Sequence, residues 1–292
     1  MAVSLQTAVG TKLPILGSSC IVHKYLSNSS LNSVKYGFAI LKTTIIYFLQ
    51  KFSIFYDQKY NFLKKKRYDN YESKVNFLST HSLAFDVIKK DSNILSIGCG
   101  NAHLEKKLIE EKNCIIDAID FKKTKGLDFL NQYTQLDLDR EKIALQFDNY
   151  NYILMLDVIE HLKNPEEFIY FLNKKMSNFP KQKLIISTPN IANIFIRIML
   201  LFGNFNYGPR GILDRTHTRL FTLYSFKKLI TDHNFEIEKI NCTPPPFPLV
   251  IKNKFFGDLL LTIFNFFNKI AKQLFAFQFL MIVRSKPDLE YL

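Results

Sequence analysis

The chain of 292 residues is 47% hydrophobic, which is enough to bury the core of one α/β domain with additions, or of two small domains. Its formal net charge is +13, but residues 1–67 carry ten Lys and Arg against Asp57 alone, so an excess of only +4 remains for residues 68–292. This distribution argues against a nucleic-acid-binding protein. The four cysteines show no CxxC and no paired spacing, which predicts reduced thiols in a cytoplasmic compartment, without a disulfide framework or a zinc site.

Residues 1–67 are predicted to form a basic extension. Residues 1–35 are rich in Ser and contain no acid, and they lack the basic start and long apolar run of a secretory signal, although an organelle transit peptide also fits. Residues 36–56 are apolar with helical spacing, but two lysines shorten the run below a membrane span. This helix either packs on the rest of the chain, forms a poorly ordered extension, or lies in a membrane interface. In the last case residues 36–67 are the peripheral membrane contact of a membrane-associated protein.

From residue 68 onward, apolar strands alternate with helices. The predicted strands cover residues 93–97, 114–119, 133–136, 151–156, 183–187, 235–242 and 277–284. The predicted helices cover about 71–89, 102–111, 164–176, 191–202, 223–232 and 259–267, with a polar, irregular segment at 204–222. This alternation is typical of an α/β fold with a doubly wound, Rossmann-like, mostly parallel sheet. We therefore predict one seven-stranded domain over residues 68–292 with an antiparallel C-terminal edge, preceded by a helical extension.

The first four strands each end in glycine or an acid, at the edge where open α/β sheets bind their ligands. These elements are the turn at Gly98 and Gly100, Asp120, Asp137, and the run from Asp157 to His161. The turn leads into a helix whose first N–H groups are unpaired, and Asp120 follows Gly98 by about the 20 residues at which an acid meets ribose hydroxyls. His103 stands where a dinucleotide fingerprint has its third glycine, which argues against a nicotinamide-dependent oxidoreductase.

Several stretches carry a resemblance to a known family. Residues 94–100 (ILSIGCG), 116–120 (IDAID) and 147–164 (FDNYNYILMLDVIEHLKN) resemble class I S-adenosylmethionine-dependent methyltransferases. They are most similar to the branch that contains ubiquinone-type O-methyltransferases and many methyltransferases of surface-polysaccharide clusters. Residues 207–222 and 274–280 are similar to the same branch, so the resemblance covers about residues 75–290. The motifs are specific for the cofactor and not for the methyl acceptor.

The resemblance implies a role in S-adenosylmethionine binding for the end of each strand. Gly98 and Gly100 are expected to line the methionine and ribose portion of the cofactor. Asp120 is expected to hold the ribose hydroxyls, and Asp137 and Leu138 are expected to border the adenine.

Two further cofactor-binding positions follow from the resemblance. Asp157 is expected beside the methionine end of the cofactor. Ser96 stands where the family usually has an acid that helps to orient the cofactor's amino group, so this substitution puts cofactor affinity and activity in question. Ala102 replaces a residue that is often glycine, and alanine is tolerable there.

The acceptor side offers two histidines and two arginines. His161 and His217 are the candidate general bases, since histidine suits proton removal from a hydroxyl near neutral pH. The alternative for His161 is a structural role at the turn after the fourth strand. Arg215 and Arg219 flank His217 and are candidates for binding a carboxylate or phosphate of the substrate, or else for forming a salt-bridged lid.

These features predict an enzyme that transfers a methyl group from S-adenosylmethionine to an oxygen of a small-molecule, glycan or lipid-linked acceptor. No metal ligand set and no nucleic-acid partner are expected. One alternative is a non-catalytic binding module that kept the fold, which Ser96 favours. A nicotinamide-dependent oxidoreductase is the less favoured alternative.

Overall fold

The fold is built on one sheet of seven strands in the order β3-β2-β1-β4-β5-β7-β6. The computed structural model describes residues 33–51, 56, 74–122, 124–141, 143, 147–249, 251 and 253–287. The strands are β1 Asn93–Ile97, β2 Ile115–Asp120, β3 Gln132–Gln135, β4 Tyr152–Leu156, β5 Lys183–Pro189, β6 Phe235–Thr243 and β7 Gln278–Ser285. Strands β1 to β5 pair in parallel, and β7 is antiparallel to both β5 and β6. The predicted doubly wound, mostly parallel sheet with an antiparallel C-terminal edge is confirmed.

The described helices begin with a capping side chain in some cases and without one in others. They are α1 Ser33–Lys51, α2 Thr80–Val87, α3 His103–Lys112, α4 Pro165–Met176, α5 Ile194–Leu201, α6 Leu223–Asp232, α7 Lys254–Ile270 and α8 Lys272–Phe275. Thr222 forms a capping box with Ser225, and α6 has the predicted bounds. The helix predicted over 71–89 is shorter, because Ser79 caps α2 and a separate 3₁₀ turn precedes it at Lys74–Asn76. The start of that prediction lies outside the described residues.

The sheet separates two apolar cores. On one face Ile94, Leu104 and Leu108 join α2 and α3 to the strands. On the other face Leu95 and Ile169 belong to the core that α4 and α6 cover. Neighbouring residues of β1 therefore point to opposite faces, as strand geometry requires, and both faces of the parallel strands are buried. A third cluster joins α5 and α7.

The last two strands enter the sheet out of sequence order. β7 lies between β5 and β6, and its first residue, Gln278, is in register with Pro189 at the end of β5. Because β7 runs antiparallel to β5, its beginning lies at the edge where the parallel strands have their carboxyl ends. A residue near position 278 is thereby brought to the ligand edge of the sheet.

The N-terminal helix α1 shows apolar side chains to solvent, with Phe38 67% and Leu41 55% exposed. Helix α7 has a similar exposed row, in which Phe255 is 71% and Phe266 60% exposed. Among the described residues, no helix combines the length and hydropathy needed to cross a bilayer. Of the predicted transit-like start at 1–35, residues 1–32 lie outside the described residues, and so do residues 64–67, which are three lysines and an arginine.

Candidate active site

The turn between β1 and α3 packs closely against the carboxyl ends of β2 and β4. Gly98 has φ +78°, Gly100 φ +57° and Ala102 φ +51°, all in the left-handed region. The Gly98 N–H donates to the carbonyl of Ile119 at 2.7 Å, and a Cβ at position 98 would lie 2.2 Å from a methyl carbon of Val158. A Cβ at position 100 would meet nothing within 4 Å, so the backbone there is open to the close approach of a ligand.

Asp120 closes this turn from the end of β2. The N–H of Gly100 donates to its Oδ2 at 2.8 Å, and the N–H of Lys122 donates to its Oδ1 at 2.8 Å. These bonds hold the carboxylate beside the open backbone of Gly100. Each carboxylate oxygen has a further lone pair that can accept a hydroxyl hydrogen, so the geometry suits the predicted ribose contact.

Asp137 and Leu138 follow β3 and form the next part of the same edge. The N–H of Asp139 donates to Asp137 Oδ1 at 3.1 Å, and Arg140 Nε lies 3.4 Å from Asp137 Oδ2. Leu138 is half-buried and packs on the same core as Val158. The pair therefore offers an apolar surface with a locally fixed carboxylate beside it, and its contact with adenine stays a prediction.

Asp157 is held at the end of β4 in an unusual backbone conformation. Its φ is +56°, which for a residue other than glycine costs on the order of 1–2 kcal/mol. Ser187 Oγ donates to its Oδ1 at 2.7 Å, and Gln278 Nε2 donates to its Oδ2 at 2.7 Å. These two bonds, from β5 and β7, fix the carboxylate at the ligand edge. Sequence reasoning missed both partners, although Ser187 is the polar end of an apolar strand.

Ser96 lies in the middle of β1 and is 2% exposed. Its hydroxyl donates to Oε1 of Glu105 at 2.6 Å. Glu105 stands in the first turn of α3 and is only 4% exposed. Burial raises the pKa of Glu105 to about 7, against the effect of the Ser96 hydrogen bond, which lowers it.

Glu105 is absent from the sequence-predicted site. A signal existed, since helical spacing places Glu105 between Leu108 and Ile109 on the surface of α3, beside the apolar face that is assigned to the core. An acid on a buried helix face is uncommon without a partner. The pattern alone did not show that the side chain points back to Ser96.

His161 and His217 come together although 56 positions separate them. Their rings contact edge to face, with centroids 4.8 Å apart. His161 Nδ1 lies 3.1 Å from the Thr216 carbonyl oxygen, and His217 Nδ1 lies 2.9 Å from that of Ile212. A carbonyl can only accept, so in the neutral rings Nδ1 carries the proton and Nε2 is the acceptor.

The surroundings of His217 favour its neutral form. Burial lowers the pKa of His217, and the neighbouring His161 adds to this effect. Glu160 is 1% exposed, and its Oε1 lies 4.0 Å from His217 Nε2. One ligand atom from each of Glu160, His161 and His217 lies within 4.8 Å of the others, and this donor set is of a type that binds divalent transition metals. The sequence did not predict this cluster.

The segment that carries His217 is fixed against the turn after β4. The N–H groups of Thr218 and Arg219 donate to the Glu160 carbonyl at 2.9 and 3.0 Å. The Arg219 guanidinium pairs with Glu166 in the first turn of α4, and that of Arg215 lies over the Tyr56 ring, 5.1 Å from its centroid. Arg219 thus has an ion-pair partner of the kind that the salt-bridged alternative expects, whereas Arg215 contacts an aromatic ring, and the role of both in substrate binding stays a prediction.

Solved structures with a similar fold share little sequence with this chain. A methyltransferase from Archaeoglobus fulgidus, described as S-adenosylmethionine-dependent, is 17% identical, with a TM-score of 0.45 over 70% of this chain and 94% of its own. The YcgJ protein from Bacillus subtilis is 11% identical, with a TM-score of 0.45 over 72% and 98%. The 1,6-didemethyltoxoflavin-N1-methyltransferase from Burkholderia thailandensis is 10% identical, with a TM-score of 0.44 over 72% and 77%. No curated protein matches the chain significantly.

A family model described as a methyltransferase domain matches residues 63–240, which is more than half of the chain. The matched stretch contains the glycine turn, Asp120, Asp157 and the histidine pair. The strand order and the parallel-then-antiparallel pairing agree with that assignment. The chain therefore belongs to the methyltransferase-domain family, among the class I S-adenosylmethionine-dependent methyltransferases.

Proposed function

We propose that this protein transfers the methyl group of S-adenosylmethionine to an oxygen of a small-molecule, glycan or lipid-linked acceptor. The observation that supports oxygen as the acceptor atom is the pair of histidines, each with Nδ1 bonded to a backbone carbonyl. A hydroxyl must lose its proton as it attacks the methyl carbon, and a neutral imidazole Nε2 can take that proton. Such general base catalysis contributes roughly 10²- to 10⁴-fold to the rate.

The residues of the ligand edge fit the cofactor. The open backbone at Gly100 allows close approach, and the fixed carboxylate of Asp120 beside it can accept two ribose hydroxyl hydrogens. When bound, the sulfonium of the cofactor supplies an activated methyl group. The protein's part is to orient that group in line with the acceptor oxygen, since positioning alone can contribute several kcal/mol. Asp157, held by two bonds, is suited to fix the methionine end.

A calorimetric titration with S-adenosylmethionine tests the cofactor assignment. Binding at micromolar to low millimolar concentration is expected, and no binding at millimolar concentration would overturn the proposal. Comparison of metabolite extracts from cells with and without the protein, by mass spectrometry, should then reveal a pair that differs by one CH₂. Binding without turnover of any acceptor would instead favour the non-catalytic module.

The apolar face of α1 supports contact of residues 36–67 with a membrane surface. Its exposed Phe38 and Leu41 belong to an otherwise basic region, which favours an anionic bilayer. Replacing both with Ser should reduce cosedimentation with phosphatidylglycerol vesicles. Tyr170, an exposed aromatic on α4, provides the matched control in Tyr170→Ser. Unchanged sedimentation of the double variant would contradict membrane contact through this region.

A further inference from the structure

Beside the glycine turn is a buried carboxylate that the turn itself does not use. Asp120 accepts a hydrogen bond from the backbone N–H of Gly100 in the turn, whereas Glu105 receives the hydroxyl hydrogen of Ser96 from inside β1. Within the part of the chain that the structure describes, no Lys, Arg or His forms an ion pair with Glu105. An acid in this setting lacks a positive charge that would stabilise its ionised form.

We propose that Glu105, oriented by Ser96, forms a binding subsite for a primary ammonium group, namely the amino group of the methionine part of S-adenosylmethionine. This inference rests on the proposed use of that cofactor. Strand β1 has no acid at position 96, and the carboxylate is supplied instead from the first turn of α3. Glu105 is the binding residue, and Ser96 is a positioning residue that acts through it.

The chain on either side of the glycine turn places Glu105 close to that turn. Ser96 precedes Gly98 by two positions, and its partner Glu105 stands in the first turn of the helix that follows. In agreement with this placement, the pKa of the Cys99 thiol is raised by burial and further by the charges of Glu105 and Asp120. The negative charges of Glu105 and Asp120 act on each other, which also favours a cation between the turn and the start of α3.

The second function open to such a residue is structural. A protonated Glu105 would serve only to satisfy Ser96 and to fill the space below the turn. A ligand without an amino group distinguishes the two roles, because loss of an ammonium subsite leaves its affinity unchanged, whereas loss of a structural residue lowers it. 5′-Methylthioadenosine keeps the adenosine and sulfur of the cofactor but lacks the amino acid part, so it cannot use an ammonium subsite.

The test is calorimetric titration of the full chain with S-adenosylhomocysteine and with 5′-methylthioadenosine. Glu105→Gln should weaken S-adenosylhomocysteine binding about 10- to 100-fold, the loss expected for a hydrogen bond to a charged group, and leave 5′-methylthioadenosine unchanged. Ser96→Ala should weaken the same ligand by a smaller factor. Glu110→Gln on the exposed side of α3, where Glu110 pairs with Lys106 at 3.8 Å, is the matched control and should change neither.

A rescue variant strengthens the test. Ser96→Asp combined with Glu105→Gln moves the carboxylate from the helix to the strand and should restore most of the lost affinity. Equal binding of S-adenosylhomocysteine by wild type and Glu105→Gln would overturn the subsite while the methyltransferase proposal stands. Equal losses for both ligands would show a structural role. Failure of the wild type to bind either ligand would overturn both proposals.

The wild type provides an independent measurement if Glu105→Gln does not fold. Its affinity for S-adenosylhomocysteine should rise as the pH increases through about 7, where Glu105 ionises, while its affinity for 5′-methylthioadenosine changes less. Asp120 and Cys99 are the other titratable groups that act on Glu105, and both face the two ligands alike. Parallel pH profiles for the two ligands would overturn the subsite.

Discussion

At Gly98 the addition of a single methyl group, as in Gly98→Ala, should lower the stability of the fold through one identifiable collision. Its φ of +78° costs an alanine on the order of 1–2 kcal/mol, and a Cβ would lie 2.2 Å from a methyl carbon of Val158. Val158 is β-branched, so its side chain has little freedom to rotate away. Overpacking of this type costs about 1–3 kcal/mol. Alanine also reduces the conformational entropy of the unfolded chain, which stabilises the folded state by roughly 0.4–1 kcal/mol. The net effect of Gly98→Ala should be a decrease of about 1–4 kcal/mol in the free energy of unfolding.

Gly100 is the matched control for this effect. Its φ of +57° imposes the same backbone penalty on alanine, but a Cβ there meets nothing within 4 Å. Gly100→Ala should therefore be the less destabilising variant, and the difference of about 1–3 kcal/mol measures the collision with Val158 alone. Val158→Ala removes the colliding methyl groups, so combining it with Gly98→Ala should cancel the steric part of the loss. The cost of truncating Val158 itself remains.

Urea denaturation followed by circular dichroism measures these free energies. The four proteins of the double-mutant cycle, Gly98→Ala, Val158→Ala, their combination and the wild type, should give a coupling of at least 1 kcal/mol that favours the combination. The slope of the unfolding free energy with urea should stay constant across the set. A Gly98→Ala variant no less stable than Gly100→Ala, or a cycle without coupling, would refute the steric reasoning.

Three further predictions concern the histidine pair and the buried carboxylates. His217→Asn should lower the methyl transfer rate about 10²- to 10⁴-fold with cofactor affinity unchanged, and a parallel loss of affinity by calorimetry would indicate a structural role instead. Because the pKa of Glu105 is raised from 4.5 to about 7, the folded state holds its proton more tightly than the unfolded state, and stability should fall as the pH rises between these values. Glu105→Gln should remove that decline, which is on the order of 3 kcal/mol, so a variant that keeps the wild-type decline would show that another group causes it. Ser187→Ala should lower stability by about 1–3 kcal/mol, since Asp157 loses a bond in a strained conformation, and unchanged stability in urea would contradict that anchoring.

The sequence carries enough information for the strands of the sheet and for their mostly parallel arrangement. Apolar runs of strand length ending in Gly98, Asp120 or Asp157 place those residues at one edge, because parallel strands share the direction of their carboxyl ends. The end of the 3₁₀ turn and the start of α2 were harder to predict, since capping by Ser79 overrides the apolar spacing on either side.

Contacts between distant parts of the chain could not be predicted in this way. The edge-to-face packing of His161 on His217 depends on how residues 204–222 fold back, and that segment has no periodicity. The bond from Ser96 to Glu105 depends on the direction in which the first turn of α3 leaves the glycine turn. Each of these contacts is a property of loop geometry, which residue types and spacing specify weakly.

The bond between Asp157 and Gln278 links the candidate site to a strand that is distant in the sequence. The two residues are 121 positions apart, and Gln278 lies beyond residue 240, where the matched family model ends. Among the described strands β6 pairs with β7 alone, so a growing chain that stops before position 278 lacks this partner of β6 and one donor to Asp157. During synthesis, the glycine turn and the first five strands can form early. The carboxylate of Asp157 gains its donor from Gln278 only when β7 inserts beside β5, so a chain in which β7 is not yet in place is expected to bind the cofactor less tightly.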